Sequence, residues 1–451
     1  MAIKGAWHQY RDLYTGGEQL KWRAAEYLAR RQKEPAEVWN ERLSRVFYEN
    51  YIGSIIDWYA ATLFRREPLI LAEGEEPGKS FLHQFAENCD LRGSSLADFH
   101  RRVLTNGLIC GTSHVLVDFP RQAGRISSRA EEDSSGASRA YLVDYSAEQL
   151  INWNLDQQGN YDWVVLRSSY LRKATVDETS WTRETQWAYY DKEEFRIYRR
   201  RDDESQKQPI DLVDSGRHGC ANQRRVPLFS LRIPEGLWLM NRAALLQLEH
   251  FNKSNALSWA LTMGLYAMPV VYSDREWNQI TGESYYIQLG PHDRFGWTEP
   301  EGHVFQIAAE NLGRLQEEIY RVCYLMSQAG GAFSSRQALS GLSKQRDYAI
   351  TQEVLRAYGD AVKDLMKRIL QAVTDARQDQ LAVDVSGLDE FDIGDFSNEL
   401  ADAERLLALG IQSTTFRQQV LKKLAFKYLC DTRQGIKDRI AQEIDESLTR
   451  A

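Results

Sequence analysis

Two long stretches without proline, Leu237 to Met268 and Ala308 to Gln328, bracket a short segment of mixed character, and this arrangement most constrains the fold. A single helix over the first would span about 45 to 50 Å, long for a globular domain, and Pro269 would end it. The bracketed segment, PVVYSDREWNQITGESYYIQLGPHDRFGWTEPEGHVFQI, reads as short strands around one helical turn. The chain is thus expected to run out along one helix, form a small head and return along another. A small-residue break from Gln328 to Gly341 precedes a further long helix, Leu342 to about Arg377.

Elsewhere the periodicity alternates between 3.6 and 2. Trp22 to Phe64 is predicted to form two helices broken near Pro35, with Val38, Leu43, Ile52, Ile55, Ile56, Tyr59 and Leu63 at helical spacing. PLILAE at Pro68 reads as a short strand, Leu96 to Leu108 as a helix closing at Gly107, and Ser113 to Pro120 as a strand. YLVDY, WVVLRSSY, ETQWAYY, EFRIYRR and VPLFSLRI follow as one antiparallel meander with turns such as LDQQGNY. Arg121 to Ala140 and Arg201 to Arg225 read as polar loops. QLAVDVSGLDEFDIGDFS supplies one strand and an acidic turn, and the remainder to Ala451 is read as helical. The expected class is α+β, predominantly helical.

Composition excludes several function classes. The longest apolar approach to a membrane span, Ala256 to Val271, is short and interrupted by Ser258 and Thr262, and MAIKGAWHQYRD lacks the apolar core of a signal peptide. Cys89, Cys110, Cys220, Cys323 and Cys430 are far apart, so neither a disulfide framework nor a zinc site is indicated, and reduced thiols in a cytosol fit. A net charge of -8 argues against ordinary tight nucleic-acid binding, which relies on Lys and Arg neutralising phosphates.

The motifs point away from catalysis. GEEPGKS, Gly74 to Ser80, ends like a phosphate-binding loop but has three residues between its glycines where four are needed. Its two glutamates would repel phosphate, and Pro77 removes an N–H. No histidine pair has HxxxH spacing, and no GxSxG or GxGxxG turn occurs. Asp384, Asp389, Glu390, Asp392 and Asp395 do not follow a calcium-loop pattern and read as a solvated turn. No catalytic residue, metal site or cofactor is expected. Most Trp and Tyr residues sit at strand or helix spacing, where packing or a subunit interface is the default.

Several segments, in order, resemble the portal proteins of tailed bacteriophages. They are EVWNERLSRVFYENYIGSIIDWYAATLFRREP, GLICGTSHVLVDFP, YLVDYSAEQLINWNLD and RVPLFSLRIPEGLWLMNRAALLQLEHFNKSNAL, and the resemblance extends over nearly the whole chain. It implies a wing over residues 1–236, stem helices over 237–268 and 308–328, a small α/β clip over 269–307, and a tunnel loop over 329–341. A long tunnel or wing helix with its closing strand would occupy 342–396, and a helical crown 397–451.

The implied function is a ring-shaped DNA conduit at the capsid vertex, serving genome packaging and ejection in the virion and assembled in the host cytoplasm. The implied partners are a homo-oligomeric ring of about twelve subunits, double-stranded DNA in transit, a terminase motor, the major capsid protein and a head–tail adaptor, with no membrane. In such a ring one axial arginine becomes a belt of positive charge, so an acidic subunit suits a conduit better than a DNA binder. Under the resemblance, the DNA-proximal candidates are Gly330, Gly331, Arg336, Lys344 and Arg346. The cations could equally serve intersubunit ion pairs, and the glycines could end the stem helix as a C-cap. Two other classes stay open: another virion structural protein, such as a minor head or adaptor protein, and a metal-dependent nuclease or hydrolase using Asp392 or Asp395.

Overall fold

Helices and antiparallel sheets alternate along the chain, which has an α+β fold. The computed structural model describes residues 3–76, 78–121, 139–173, 181–202, 209–265, 268–274, 289–298, 302–325, 341–389, 403–408, 413–429 and 434–449. The N-terminal elements are α1 (Ile3–Thr15), α2 (Gly17–Trp22), α3 (Ala24–Tyr27), α4 (Ala36–Ser44) and α5 (Tyr51–Leu63). Next come β1 (Leu69–Gly74), α6 (Gly78–Glu87), α7 (Leu96–Cys110), β2 (Thr112–Asp118), β3 (Tyr141–Ser146) and β4 (Leu150–Leu155). Strands β5 (Tyr161–Arg172), β6 (Thr182–Asp191), β7 (Glu194–Asp202), β8 (Asp211–Arg217) and β9 (Leu228–Arg232) complete the β-rich part. Helix α8 (Leu239–Leu265), strands β10 (Met268–Tyr272) and β11 (Arg294–Thr298), and helices α9 (Gly302–Val322) and α10 (Gly341–Arg377) follow. Strand β12 (Leu381–Ser386) and helices α11 (Thr414–Tyr428) and α12 (Gln434–Thr449) end the chain. Contacts divide it into two units, one of Met1–His8, Ile56–Asn241 and Ala349–Ala451, the other of Gln9–Ile55 and Arg242–Tyr348.

Within the first unit, two sheets stand where the sequence reading placed one meander. Strands β4 to β8 form a five-stranded antiparallel meander in chain order, and β3-β2-β9 form a separate three-stranded sheet. YLVDY and VPLFSLRI therefore both leave the meander, the first pairing Tyr141 with Asp118, the second Leu228 with Leu116 and Arg232 with Thr112. Alternation within a strand reveals its buried face but not which edge receives it. The second polar loop is also corrected, because Asp211–Arg217 within it pairs with β7 as β8. Leu116, Tyr145, Leu150, Val164, Leu166, Ala188, Tyr190, Phe195, Ile197 and Leu228 form a hydrophobic cluster drawing on both sheets. Two hairpin turns are wired by aspartates: Asp156 accepts from the Gln158 and Asn160 amides, and Asp191 from those of Glu193 and Glu194.

Helix α7 starts where Ser95 Oγ accepts the Asp98 amide at 3.1 Å, an N-cap. It ends at Gly111, one turn later than expected, with φ of 78° and its N–H on the Gly107 carbonyl at 2.7 Å. A β-carbon at Gly111 would approach the Trp238 ring to 2.9 Å, so both backbone and space require glycine. Strand β1 pairs antiparallel with β12 from Leu69↔Ser386 to Gly74↔Leu381. Along α10, Val354, Leu355, Tyr358, Val362, Leu365, Met366, Ile369, Leu370 and Val373 are buried at helical spacing. The Tyr358 ring meets Tyr59 edge to face at 5.6 Å.

Candidate functional site: the helix–hairpin–helix

Within the second unit, α8 and α9 run antiparallel in a fixed register. Arg242 Nε donates to the Val322 carbonyl at 2.9 Å, and its guanidinium lies 4.7 Å from the Tyr324 ring. Eleven residues further along α8 and eleven earlier on α9, Lys253 Nζ donates to Asn311 Oδ1 at 2.9 Å. That interval corresponds to about 16 Å of helix. The same sense continues into the β10–β11 hairpin, where Met268 pairs with Thr298 and Tyr272 with Arg294. The described residues run helix, hairpin and helix in the expected order, residues 275–288 and 299–301 of the expected head lying outside them, and the bounds of the return helix are corrected. The return helix begins at Gly302, six residues before Ala308, and ends at Val322, six before Gln328. HVFQI alternates like a strand, but among the described residues β10 pairs with β11 alone, and the apolar residues continue helically. Tyr324, with φ of 62°, stands just past the helix end.

One side of α8 grips backbone. Gln247, fully buried, accepts the Ile52 amide at 3.2 Å and donates to the Glu49 carbonyl at 2.7 Å. Asn252 accepts from the Ala29 amide at 2.7 Å and donates to the Tyr27 carbonyl at 3.1 Å. Asn255 does the same to both polar groups of Phe47, at 3.1 and 2.9 Å. Three carboxamides thus satisfy backbone groups of segments 28–35 and 45–50 or of their borders, which need no helix to meet their hydrogen bonds. This explains a second correction: the predicted Trp22–Phe64 pair of helices has an additional break between α4 and α5. Asn50 Oδ1 accepts the Gly53 amide at 2.9 Å, and Nδ2 donates to the Tyr14 carbonyl at 2.7 Å. Sequence reasoning missed the grip. Its signal is the conflict at Gln247 and Asn255, polar residues in line with buried Ala243, Ala244 and Phe251.

His250 belongs to the same face. Its ring packs edge to face on Tyr51 at 5.0 Å, and Nε2 lies 3.5 Å from Glu49 Oε2. Burial pushes its pKa below the usual histidine value, against the opposing pull of the Glu49 carboxylate.

Toward the hairpin several apolar side chains stand exposed among polar ones such as His303 and Gln306. Leu261 is 42% exposed, Val304 62% and Ile307 53%, and the register of the two helices brings Leu261 level with Val304. Tyr272 on β10 is 67% exposed.

Of the residues read as DNA-proximal, Lys344 and Arg346 fall within the first two turns of α10, while Gly330, Gly331 and Arg336 lie outside the described residues. So do most of the Arg121–Ala140 segment and Glu390, Asp392 and Asp395. Asp384 is ion-paired with Lys367 at 2.9 Å, which holds its carboxyl below the usual range. At GEEPGKS, the Glu76 carboxylate accepts the Ser80 amide at 3.2 Å near the start of α6. A β-carbon on Gly78 would approach the Leu381 side chain to 2.8 Å. The chain's own acid therefore stands where a phosphate would need to be. Among the described residues no cluster of His, Cys, Asp or Glu is placed to hold a metal ion, and no helix is long and apolar enough to cross a membrane. Among the described residues Cys89, Cys110, Cys220 and Cys323 are buried and none forms a disulfide.

No family model and no curated protein matches the chain. Among solved structures, it is similar to a chain in the neck of an empty GTA particle computed with C6 symmetry, at 12% identity and a TM-score of 0.42. It is similar also to one in the virion of a native gene transfer agent particle, at 11% identity and a TM-score of 0.41. In both cases 88% of this chain and 96% of the other are covered. Likeness at this level is too slight to carry a functional conclusion.

Proposed function

We propose that the chain is a structural subunit of a phage-type virion, and specifically of a portal ring that conducts double-stranded DNA in packaging and ejection. The observation that carries the reading is the antiparallel α8–α9 pair, in register into the β10–β11 hairpin, with Leu261, Val304, Ile307 and Tyr272 exposed near that end. The order of wing-like sheets, helix, hairpin, helix and long α10 supports it, as does the sequence resemblance.

In this reading α8 and α9 are the stem, and the hairpin belongs to the clip on which a terminase motor docks. The 329–341 segment, with Gly330, Gly331 and Arg336, is the tunnel loop, and Lys344 and Arg346 follow it toward the channel. The wing would meet the major capsid protein, and a head–tail adaptor would replace the motor after packaging. No chemistry is assigned to the chain itself; nucleotide hydrolysis belongs to the motor.

Native mass spectrometry with negative-stain imaging of the purified chain tests the proposal. A ring of about twelve subunits around an axial hole is expected. A monomer at micromolar concentration, or a closed assembly without a hole, would sink it.

A further inference from the structure

Within the first unit, a cavity of about 630 Å³ opens between the β4–β5 turn, the segment entering β9, and α10. Its lining is unusual for a chain of net charge -8. Lys192, Arg224, Arg225, Arg232 and Arg368 face two carboxylates, Asp156 and Asp364.

The carboxylates are already engaged. Asp156 accepts two amides of its own turn, and Asp364 pairs with Arg368 at 2.9 Å. Lys192 turns to Asp162 at 2.7 Å, and Arg224 to Glu193 at 3.3 Å. Arg224 also holds φ at 49°, a left-handed backbone that a side chain with a β-carbon adopts at some energetic cost.

Arg225 and Arg232 have no such carboxylate partner among the described residues, and of the two only Arg225 is withdrawn from solvent. It is half-buried, and its guanidinium lies 4.4 Å from the Phe229 ring centroid. Among the described residues no carboxylate pairs with it. Burial and the nearby Arg368 push its pKa down, against the weaker opposing pull of Cys220 and Asp375. A guanidinium withdrawn from water beside a second one is unfavourable unless an anion lies between them.

We propose that this cavity binds a phosphate-type oxyanion, held between the guanidiniums of Arg225 and Arg368. A carboxylate satisfies a single guanidinium fork. Arg225, with no carboxylate partner among the described residues, and Arg368, which Asp364 meets at Nε, together suit a multiply charged group with at least three acceptor oxygens. The group could be a free phosphate or a phosphate within a nucleotide or nucleic-acid backbone, and the chemistry at the cavity is common to these. This inference does not depend on the portal reading.

The test uses the full chain at constant ionic strength, balanced with chloride. Phosphate and pyrophosphate are titrated by calorimetry, and melting is followed alongside. Binding of pyrophosphate to the wild type is expected, weakened at least about tenfold in Arg225→Gln and in Arg368→Gln. In chloride alone Arg225→Gln should melt no lower than wild type, since it removes a like-charge contact; a purely structural arginine would lower it. Competition by a short DNA duplex assigns the phosphate to a nucleic-acid backbone, and its absence assigns it to a free ion or nucleotide; both support the site. Absence of phosphate and pyrophosphate binding up to about 10 mM, equal binding by both variants, or binding of citrate but not phosphate would overturn it.

Discussion

The two longest helices solve the problem of burial in opposite ways. Helix α10, of 37 residues, presents an almost wholly apolar face from Val354 to Val373, and its Tyr358 packs against another ring. Helix α8, of 27 residues, buries Gln247, His250, Ser254 and Asn255 beside Ala243, Ala244 and Phe251. An apolar face accepts any neighbour of suitable shape, so α10 gains its stability from area and close packing. A face of carboxamides accepts only backbone presented at the right spacing, so α8 gives up some apolar burial to fix where an irregular segment lies.

The contrast is open to measurement. Leu365→Ala in α10 should lower the unfolding free energy by about 3 to 4 kcal/mol in urea titrations, as expected of a fully buried leucine. A loss below about 1 kcal/mol would mean that the α10 face is loosely packed. Gln247→Ala in α8 should cost about 2 to 3 kcal/mol by leaving the Ile52 amide and Glu49 carbonyl without their partner. The decisive comparison is Gln247→Leu, which restores apolar volume and should recover little. If it proves as stable as wild type, α8 packs as α10 does and the distinction fails.

The smallest effect concerns pH. The α8 face carries a titratable group, His250, whose folded pKa lies below its ordinary value. The unfolded chain therefore takes up its proton first as pH falls, so this contribution is complete above about pH 6.5 and is lost progressively below it. His250→Gln should make the dependence of stability on pH between 7 and 5 shallower by one histidine's share, the buried His100, His114 and His218 keeping theirs, whereas Leu365→Ala should leave the slope unchanged. An unaltered slope in His250→Gln would show that other groups set the acid response.

The same contrast sets what could be read in the sequence. Helix α10 was legible as a helix because no proline interrupts it and its apolar residues recur every three or four positions, and its boundaries at Leu342 and Arg377 agree with the structure to one residue. The break at 45–50 was not, because the groups satisfying its backbone stand about 200 positions away on α8. Strand β8 escaped notice because DLVDSGR has the composition of a loop and is largely exposed at a sheet edge. VPLFSLRI was recognised as a strand, but its pairing with β2 depends on a contact more than 100 residues distant. The cationic cavity was hidden for a similar reason. Arg224 and Arg225 are visible as a pair, yet nothing local brings Arg368 to them.

The ladder between β1 and β12 has a consequence for biosynthesis. Leu69 leaves the ribosome well before its partner Ser386, which emerges only after more than 300 further residues. Until then β1 offers open amides and carbonyls to any passing strand, and closing so long a loop is entropically slow. Translation must therefore pass residue 386 before this clasp can shut, and chains truncated short of it would emerge with a sticky edge.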